Sequence, residues 1–432
     1  LPENIMLLKL IQAVVEDEDD EAMMIFLDME KAFDRSDWEY MLTAMSHLGF
    51  DDNFRNYIRM FYSHDNPPTR KLAINGFLGK PFPLASGVAQ GCPISPLLFL
   101  VITEALTRLI VNDTHIKGIE INGTHHKISQ YADDSTLLPK DGSDFAKMQA
   151  HVQTWCKATS MAENAKKREG LLLGKLNRER QRAPKGIIAN DAWAQDGESI
   201  RALGAPMGNN LDEERWWATK YSEVKRRIAA WKSISHMSIA GRNMLLQAIL
   251  YGSIRFWMFF MTIPTSIMKQ IQADAYEVMW AEQPDIHESY DHERQRSRAY
   301  IHRAASHLPQ KLGGGNVMHF PSHEKAFQAH WIRRYLHPNA APWKSIADMW
   351  LADPYSLHRG AILTNLQGSS TNNIPTTAKY LRKCVQAFEE LGLQQDTSKL
   401  DGKINGESVF ENNRFDIAIP DDLINKWESY IA

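Results

Sequence analysis

One short apolar run and two neighbouring aspartates constrain the fold of this chain more than any other feature. Residues 22–27 have the length and composition of a buried strand, and the run stops at Asp28. Asp133 and Asp134 lie between two further apolar runs, which predicts that they occupy the tip of a β-hairpin. The pattern therefore predicts a sheet with carboxylates at the ends of its strands.

Helical and strand patterns alternate irregularly along the chain. Helices are predicted over 3–15, 97–110 and 143–159, and Asn75-Gly76 predicts a tight hairpin between two short strands. Because the order is not a repeated βαβ unit, the fold class expected is α+β with an antiparallel sheet. After residue 211 the pattern is mostly helical.

Composition limits the function less than the order of the elements does. The chain has 432 residues, three cysteines and a net charge of −3, so a nucleic-acid surface would have to be local. The six acidic residues at 16–21 are interpreted as a solvated turn, and a basic stretch after Gly174 as a linker. Three domains are predicted: residues 1–175, 176–270 and 271–432.

Three aspartates are the candidate metal ligands: Asp28, Asp133 and Asp134. Clustered carboxylates repel one another unless a cation neutralises them, and Mg²⁺ accepts carboxylate oxygens together with phosphates. Two ions, roughly 4 Å apart, are suited to in-line nucleotidyl transfer. An isolated Asp-Asp pair is more often a plain polar turn. A plain turn is disfavoured here, because two other segments lie in the order and at the distance along the chain that a shared site requires.

Those segments hold candidate nucleotide-binding residues. Phe33 follows the first aspartate, where an aromatic ring would exclude a ribose 2′-hydroxyl, although a core phenylalanine fits equally well. Gln90 and Gly91 belong to a glycine- and proline-rich loop that leads into a helix, whose N-terminus favours phosphate. Asp34 is interpreted as a cap for the helix that follows it.

Together the three segments resemble the reverse transcriptases of non-LTR (LINE-type) retrotransposons. The matching motifs are FLDMEKAFDR at 26–35, GVAQGCPISPLLF at 87–99 and YADD at 131–134. Residues 158–174 resemble a fourth motif, and LGAPMG at 203–208 resembles the family's primer-grip turn. The resemblance extends over roughly residues 1–330 and implies a right-hand polymerase palm with partial fingers, then a helical thumb and a helical C-terminal region.

The resemblance also implies roles for single residues. Asp28, Asp133 and Asp134 become the catalytic carboxylates that hold two Mg²⁺ ions, with Mn²⁺ as a possible substitute. Lys167 becomes a candidate for protonating the pyrophosphate leaving group, with a solvated lysine as the alternative. The partners implied are an RNA template, a DNA primer and deoxynucleoside triphosphates.

A basic helix is expected to grip the template–primer duplex. The apolar stripe of this helix is predicted from Trp217, Tyr221, Val224, Ile228 and Trp231. Basic residues lie largely on its other faces, where they either contact phosphates or form a solvated face. The candidates are Lys220, Lys225, Arg226 and Arg227.

Departures from the family pattern leave alternatives open. Ala89 stands where the family usually has arginine, and no upstream fingers region, endonuclease or Cys/His knuckle is recognised. The chain is therefore expected to be a fragment, and a catalytically inactive remnant that at most binds nucleic acid is the second hypothesis. A group II intron maturase-like protein shares the palm but fits the second motif and the tail less well.

Other classes of site are not expected. The apolar stretch 244–264 contains Arg255, so a buried helix is favoured over a membrane span. Eight histidines lie between His287 and His337 without partner cysteines, and no zinc site is expected. The expected location is intracellular, in the nucleus, the cytoplasm or both.

Overall fold

The computed structural model describes residues 1–188, 192–232, 237–280, 306–337, 339–351 and 374–390. Apart from Pro2, the chain divides between Asn210 and Leu211 into two compact units. Each unit is described by itself. The domain boundaries expected at 175 and 270 divide the chain more finely and stay predictions.

The first unit mixes helices and short strands. Its helices are α1 (Pro2–Asp17), α2 (Ala32–Arg35), α3 (Trp38–His47), α4 (Asp52–Phe61), α5 (Ser95–Asn112), α6 (Gly142–Thr159) and α7 (Lys175–Arg178). Its strands are β1 (Glu21–Leu27), β2 (Thr69–Arg70), β3 (Ala73–Ile74), β4 (Phe77–Leu78), β5 (Phe82–Pro83), β6 (Ile119–Ile121), β7 (Thr124–His126), β8 (Ile128–Tyr131), β9 (Asp134–Leu137), β10 (Glu169–Gly174), β11 (Ile200–Ala202) and β12 (Ala205–Met207).

A four-stranded antiparallel sheet forms the centre of this unit, in the order β10-β1-β9-β8. The strand β1 is nearly all apolar because it pairs on both edges and is covered on both faces. Met23, Ile25 and Leu27 belong to one buried cluster with residues of α3, α5 and α6. The predicted α+β class with an antiparallel sheet is confirmed.

The acidic run at 16–21 differs from its interpretation as a solvated turn. Because β1 and β10 are antiparallel, Glu21 pairs with Gly174, and the basic stretch after Gly174 lies beside the acids. Arg178 forms ion pairs with Glu16, at 3.2 Å, and with Asp19. Residues 17–19 are exposed, as the solvated-turn interpretation expects. That interpretation missed the ion pairs with the basic stretch, since sequence alone did not bring the two oppositely charged runs together.

One helix, α5, is long and apolar enough to cross a membrane, among the residues that the structure describes. Its apolar side packs into the first unit through Leu98, Phe99, Ile102 and Leu106, all of which are buried. A buried core helix passes the same test of length and composition, so this finding is weak evidence for a span.

The second unit is helical throughout its described residues. Its main helices are Glu213–Lys232, Ile239–Leu245, Gly252–Met258, Thr265–Trp280, Phe320–Leu336, Pro342–Leu351 and Lys379–Glu390, with a π-helical turn at Leu246–Tyr251. The stretch considered above as a membrane span lies here and includes buried Leu246, Leu250 and Tyr251. His287, His292, His302 and Trp427 lie outside the described residues.

The apolar stripe of Glu213–Lys232 is buried as predicted at four of its five positions. Those four are Trp217, Tyr221, Val224 and Ile228. Trp231 is 46% exposed, so its assignment to the stripe is wrong. It lies in the last turn of the helix, where a side chain has packing neighbours on only one side along the axis.

Candidate active site

The candidate carboxylates lie at one end of the central sheet. The last pair in the β1–β9 register is Leu27 with Ser135, so Asp28 and Asp134 are the next residues of the two neighbouring strands. Asp133 and Ala132 form the two-residue turn between the paired residues Tyr131 and Asp134. Ala132 has a φ of +53°, a conformation that hairpin turns of this length require.

The charges of these carboxylates influence one another. Partial burial first, and then the negative charge of Asp133, raise the pKa of Asp134. Asp28 acts in the same direction, and Arg201 opposes it. A carboxyl whose pKa is raised by like charges marks a site where negative charge is concentrated.

Lys167 lies beside the first carboxylate. Its Nζ is 3.6 Å from Oδ2 of Asp28, and its side chain is 68% exposed. A 3₁₀ turn, Ala165–Lys167, presents it, and the backbone N–H of Asn164 just before this turn donates to the Asp28 carbonyl at 2.8 Å. This bond ties the lysine-bearing turn to the end of β1.

A cavity of about 630 Å³ opens at this end of the sheet. Asp28, Asp134 and Lys167 line it, together with Arg201 and Leu203 from the β11–β12 hairpin. Sequence reasoning singled out the turn at Leu203 but missed Arg201. The signal was present, because Arg201 lies between buried Ile200 and Ala202 and so faces away from the core.

The donor set fits a hard divalent cation, because carboxylate oxygens are what Mg²⁺ accepts. As the side chains lie, however, no group of three or more His, Cys, Asp or Glu in the described part of the chain is close enough to hold a metal ion. Asp133 and Asp134 are exposed and the Asp28 side chain is 44% exposed, and rotation about χ1 is open to such side chains. The backbone thus places the three carboxylates together, and ligation requires their side chains to turn inward.

The glycine-rich loop docks on the segment that follows Asp28. The backbone N–H of Gly87 donates to Ser36, that of Val88 donates to Phe33, and Trp38 Nε1 donates to Gly87, each at 2.8 Å. A Cβ on Gly87 would lie 2.6 Å from the Asp34 carbonyl, and its φ is +89°. This glycine therefore allows a close approach to the protein's own backbone.

The candidate nucleotide-binding residues are placed differently from one another. Phe33 lies in α2 and is half-buried, and its ring stacks on that of Phe99 at 4.4 Å, so it packs against the core. Gln90 and Gly91 are exposed, and nothing lies within 4 Å of a Cβ built on Gly91. The space that a ligand needs exists at Gly91.

Asp34 does not cap the helix that follows it. It lies within α2, and the cap of α3 is Asp37, whose side chain accepts from the Tyr40 N–H at 2.7 Å. The short turn of α2 separates Asp34 from the start of α3, which is why the interpretation of Asp34 as a cap is wrong.

The four basic candidates of the second unit fall into two pairs. Lys220 contacts Glu223 at 3.3 Å, and Lys225 contacts Asp274 at 3.1 Å. Arg226 and Arg227 are exposed, with no side-chain ion pair to any residue that the structure describes. The two arginines are therefore the cations most available to phosphate.

Comparison with known proteins identifies the first unit. The reverse transcriptase (RNA-dependent DNA polymerase) family matches residues 2–207. The chain is 24% identical over 335 residues to the transposon TX1 uncharacterized 149 kDa protein of Xenopus laevis, which covers 74% of this chain and 23% of that protein. It is also 24% identical over 230 residues to the RNA-directed DNA polymerase from mobile element jockey of Drosophila melanogaster, covering 52% of this chain and 23% of the relative.

A third relative is the Pol polyprotein of the type-1 retrotransposable element R2 of Nasonia vitripennis, 34% identical over 113 residues, or 26% of this chain and 10% of the relative. The chain thus spans about a quarter or less of the length of these relatives. The resemblance to reverse transcriptases of non-LTR retrotransposons is confirmed. The match to the reverse transcriptase family covers residues 2–207 of this chain.

Proposed function

We propose that this chain supplies the palm and thumb of an RNA-directed DNA polymerase of a non-LTR retrotransposon. It would extend a DNA primer on an RNA template with deoxynucleoside triphosphates, inside the cell. The observation that carries the proposal is the arrangement of Asp28, Asp133 and Asp134 at adjoining ends of β1 and the β8–β9 hairpin.

The proposed metal ligands are these three carboxylates, and two Mg²⁺ ions held there would stabilise the attacking and leaving oxygens of nucleotidyl transfer. The rest of the chemistry belongs to residues of the chain. Lys167 lies beside Asp28 and is exposed to the cavity, where it can donate a proton to the leaving pyrophosphate. Arg201 adds positive charge on the opposite wall.

Nucleotide selection is assigned to the loop that docks behind the carboxylates. Phe33 is held in place by its stacking on Phe99 and by the bond from Val88 to its carbonyl. A ring fixed in this way rejects a ribose 2′-hydroxyl by steric clash. Gln90 and Gly91 lie in the exposed part of the loop, where they can contact the incoming nucleotide.

The helix Glu213–Lys232 is the proposed thumb element that contacts the duplex. Its buried stripe fixes one face, which leaves the cations on the remaining faces. Arg226 and Arg227 would contribute most, because Lys220 and Lys225 already pair with acidic residues. Contacts of this kind depend on salt and not on base sequence.

Primer extension tests the proposal directly. Purified chain is incubated with oligo-dT on poly-rA, Mg²⁺ and dTTP, and product length is measured on a gel. We expect extension that requires the template and the metal, and that is lost in Asp133→Ala. Extension that persists in Asp133→Ala would contradict the assignment.

An inactive remnant that at most binds nucleic acid is the competing function, and it is favoured by the side-chain orientation of the carboxylates, because no group among the described residues could hold a metal ion as the side chains lie. The remnant hypothesis predicts duplex binding without primer extension by this chain. The polymerase hypothesis predicts both duplex binding and primer extension.

A further inference from the structure

The hairpin formed by β2, β3, β4 and β5 exposes apolar side chains that nothing in its own unit covers. Phe77 is 79% exposed, Leu78 is 69% exposed and Ile74 is 65% exposed. Exposed apolar side chains grouped in this way mark interaction surfaces more often than ordinary surface. The hairpin is therefore a candidate for binding a partner.

One side of the hairpin carries most of these residues. The register pairs Ile74 with Phe77 and Arg70 with Phe82, and directly paired residues share a side. Leu72 lies two residues from both Arg70 and Ile74, which places it on the same side. We call these five residues the hairpin face.

The hairpin face is held in a fixed shape and attached to the candidate active site. Asn75 and Gly76 both have positive φ, at 51° and 84°, as a type I′ hairpin turn requires. At the base, the Leu84 N–H donates to the Pro68 carbonyl at 2.9 Å. Two residues later, Ser86 Oγ donates to the Asp34 carbonyl at 2.9 Å, so the hairpin is anchored to the segment that follows Asp28.

Charge identifies the chemistry of the partner. No acidic residue occurs between Asp65 and Glu104, although the chain as a whole has more acidic than basic residues. Within the hairpin, Arg70, Lys71 and Lys80 are exposed, and their side chains form no ion pair with any residue that the structure describes. A second copy docked hairpin to hairpin would oppose cations with cations, so an anionic partner is favoured.

We propose that the hairpin binds single-stranded nucleic acid, with bases stacking on Phe77 and Phe82 of the hairpin face and phosphates contacting Arg70 and the nearby Lys80. Stacking on exposed aromatic rings combined with nearby cations is the common chemistry of single-strand binding. An anionic membrane surface would offer similar charge, but the anchoring of the hairpin beside the carboxylates favours a strand that runs toward the site. This inference deepens the proposed function, since it gives the template strand a binding surface.

The inference is tested by measuring how tightly the full chain binds a labelled single-stranded RNA of about 15 nucleotides. Binding is followed by fluorescence anisotropy, in buffer that contains EDTA and no nucleotides. We expect Phe77→Ala to weaken binding about fivefold or more, because stacking contributes this much per base. The matched control is Tyr57→Ala, an aromatic on α4 that is 64% exposed and should bind as the wild type does. Because the assay contains neither free metal ions nor nucleotides, its result does not depend on whether the polymerase proposal holds.

Salt dependence tests the charged residues separately. Lys80→Gln should reduce the slope of log affinity against log salt by about 0.7, the value for one phosphate contact on a single strand. Arg108→Gln is the control, because this exposed arginine is paired with Glu104 at 2.8 Å, and its slope should not change.

A photo-crosslinking residue in place of Phe77 gives a second readout that binding elsewhere on the chain cannot mask. We expect an RNA adduct with it at position 77 and none with it at position 57. The inference is overturned if neither the affinity nor the adduct depends on the hairpin. It is also overturned if the Phe77→Ala change affects only binding to phosphatidylserine vesicles, or only self-association in sedimentation.

Discussion

Carboxylates cluster at both ends of the strand β1, and the two clusters differ in how far basic residues of the protein neutralise them. At the start of the strand, Glu16, Asp19 and Asp20 are each paired with a lysine or arginine. At its end, the Asp28 side chain forms an ion pair with Lys167 at 3.6 Å, and Asp133 and Asp134 lie at the turn between β8 and β9. The first cluster is neutralised by the protein itself, and the second leaves room for a cation from outside.

The two ends also differ in the pKa of their carboxyls. Burial alone would raise the pKa of Asp20, but hydrogen bonds from Lys140 and from the Glu21 N–H outweigh it, so this pKa is lowered. The pKa of Asp134 is raised, by burial and then by Asp133, with Asp28 contributing less. The ionised form of Asp20 is therefore stabilised, whereas that of Asp134 is destabilised. This contrast indicates a structural role for the cluster at the start of β1 and a functional role for the cluster at its end.

The largest expected effect comes from neutralising one carboxylate at each end of the strand. Asp28→Asn should reduce the rate of primer extension roughly a thousandfold, because charge stabilisation by a bound metal is worth several kcal/mol. Asp20→Asn is the matched control and should extend primers at the wild-type rate. Equal losses in both variants would remove the distinction between the two ends.

A smaller loss is expected at Lys167. Lys167→Ala should lower kcat about a hundredfold if this lysine is the general acid, with little change in KM for the primer. Lys167→Arg keeps the charge beside Asp28 but cannot give up its proton, so it should also be slow. Lys157→Ala, at an exposed position on α6, serves as the control. Recovery of kcat in the arginine variant would indicate that charge alone matters.

Thermal stability should change in opposite directions at the two ends. A carboxyl with a lowered pKa contributes stability above the ordinary value of 3.8, and this contribution is lost as the pH falls. One with a raised pKa destabilises the fold increasingly as the pH rises above 3.8, and fully once the pH exceeds its folded value. At neutral pH, Asp20→Asn should therefore lower Tm and Asp134→Asn should raise it, each by about a few degrees or less.

The Tm differences between each variant and the wild type should disappear in acid, because the two aspartates are then protonated and resemble asparagine. Tm measured between neutral and acidic pH by circular dichroism checks this. If Asp134→Asn lowers Tm at neutral pH, the carboxylates at the end of the strand are structural after all.

The smallest expected effect is at Arg178, which joins the acidic run to the start of α7. Arg178→Ala removes ion pairs to Glu16 and Asp19 whose side chains are partly exposed. Surface pairs of this kind contribute less than about 1 kcal/mol, so Tm should fall by about 2 °C or less and the fall should shrink in high salt. Primer extension should not change, and a loss of extension would link the first cluster to function.

Local patterns predicted the elements well because each depends on neighbouring residues. The strand after residue 21, the turn at Asn75-Gly76 and the helix over 97–110 follow from apolar period and turn chemistry. The position of the Asp133 turn also follows from such signals. The other candidate site residues were predicted from the order of the motifs along the chain.

Contacts between distant segments were beyond the reach of these patterns. The pairing of the acidic run with the residues after Gly174 depends on the antiparallel register of β1 and β10, which no local signal contains. The close approach of Gly87 to Asp34 depends on the same kind of long-range packing. Trp231 was misplaced because an apolar period does not indicate where burial ends.

Binding of Mn²⁺, followed by electron paramagnetic resonance without nucleic acid, tests most directly whether the two ends of β1 differ as proposed. The account predicts that the wild type and Asp20→Asn bind the ion with equal affinity, and that Asp28→Asn and Asp133→Asn bind it at least about tenfold more weakly. Equal affinity in all four proteins, or a loss confined to Asp20→Asn, would contradict it.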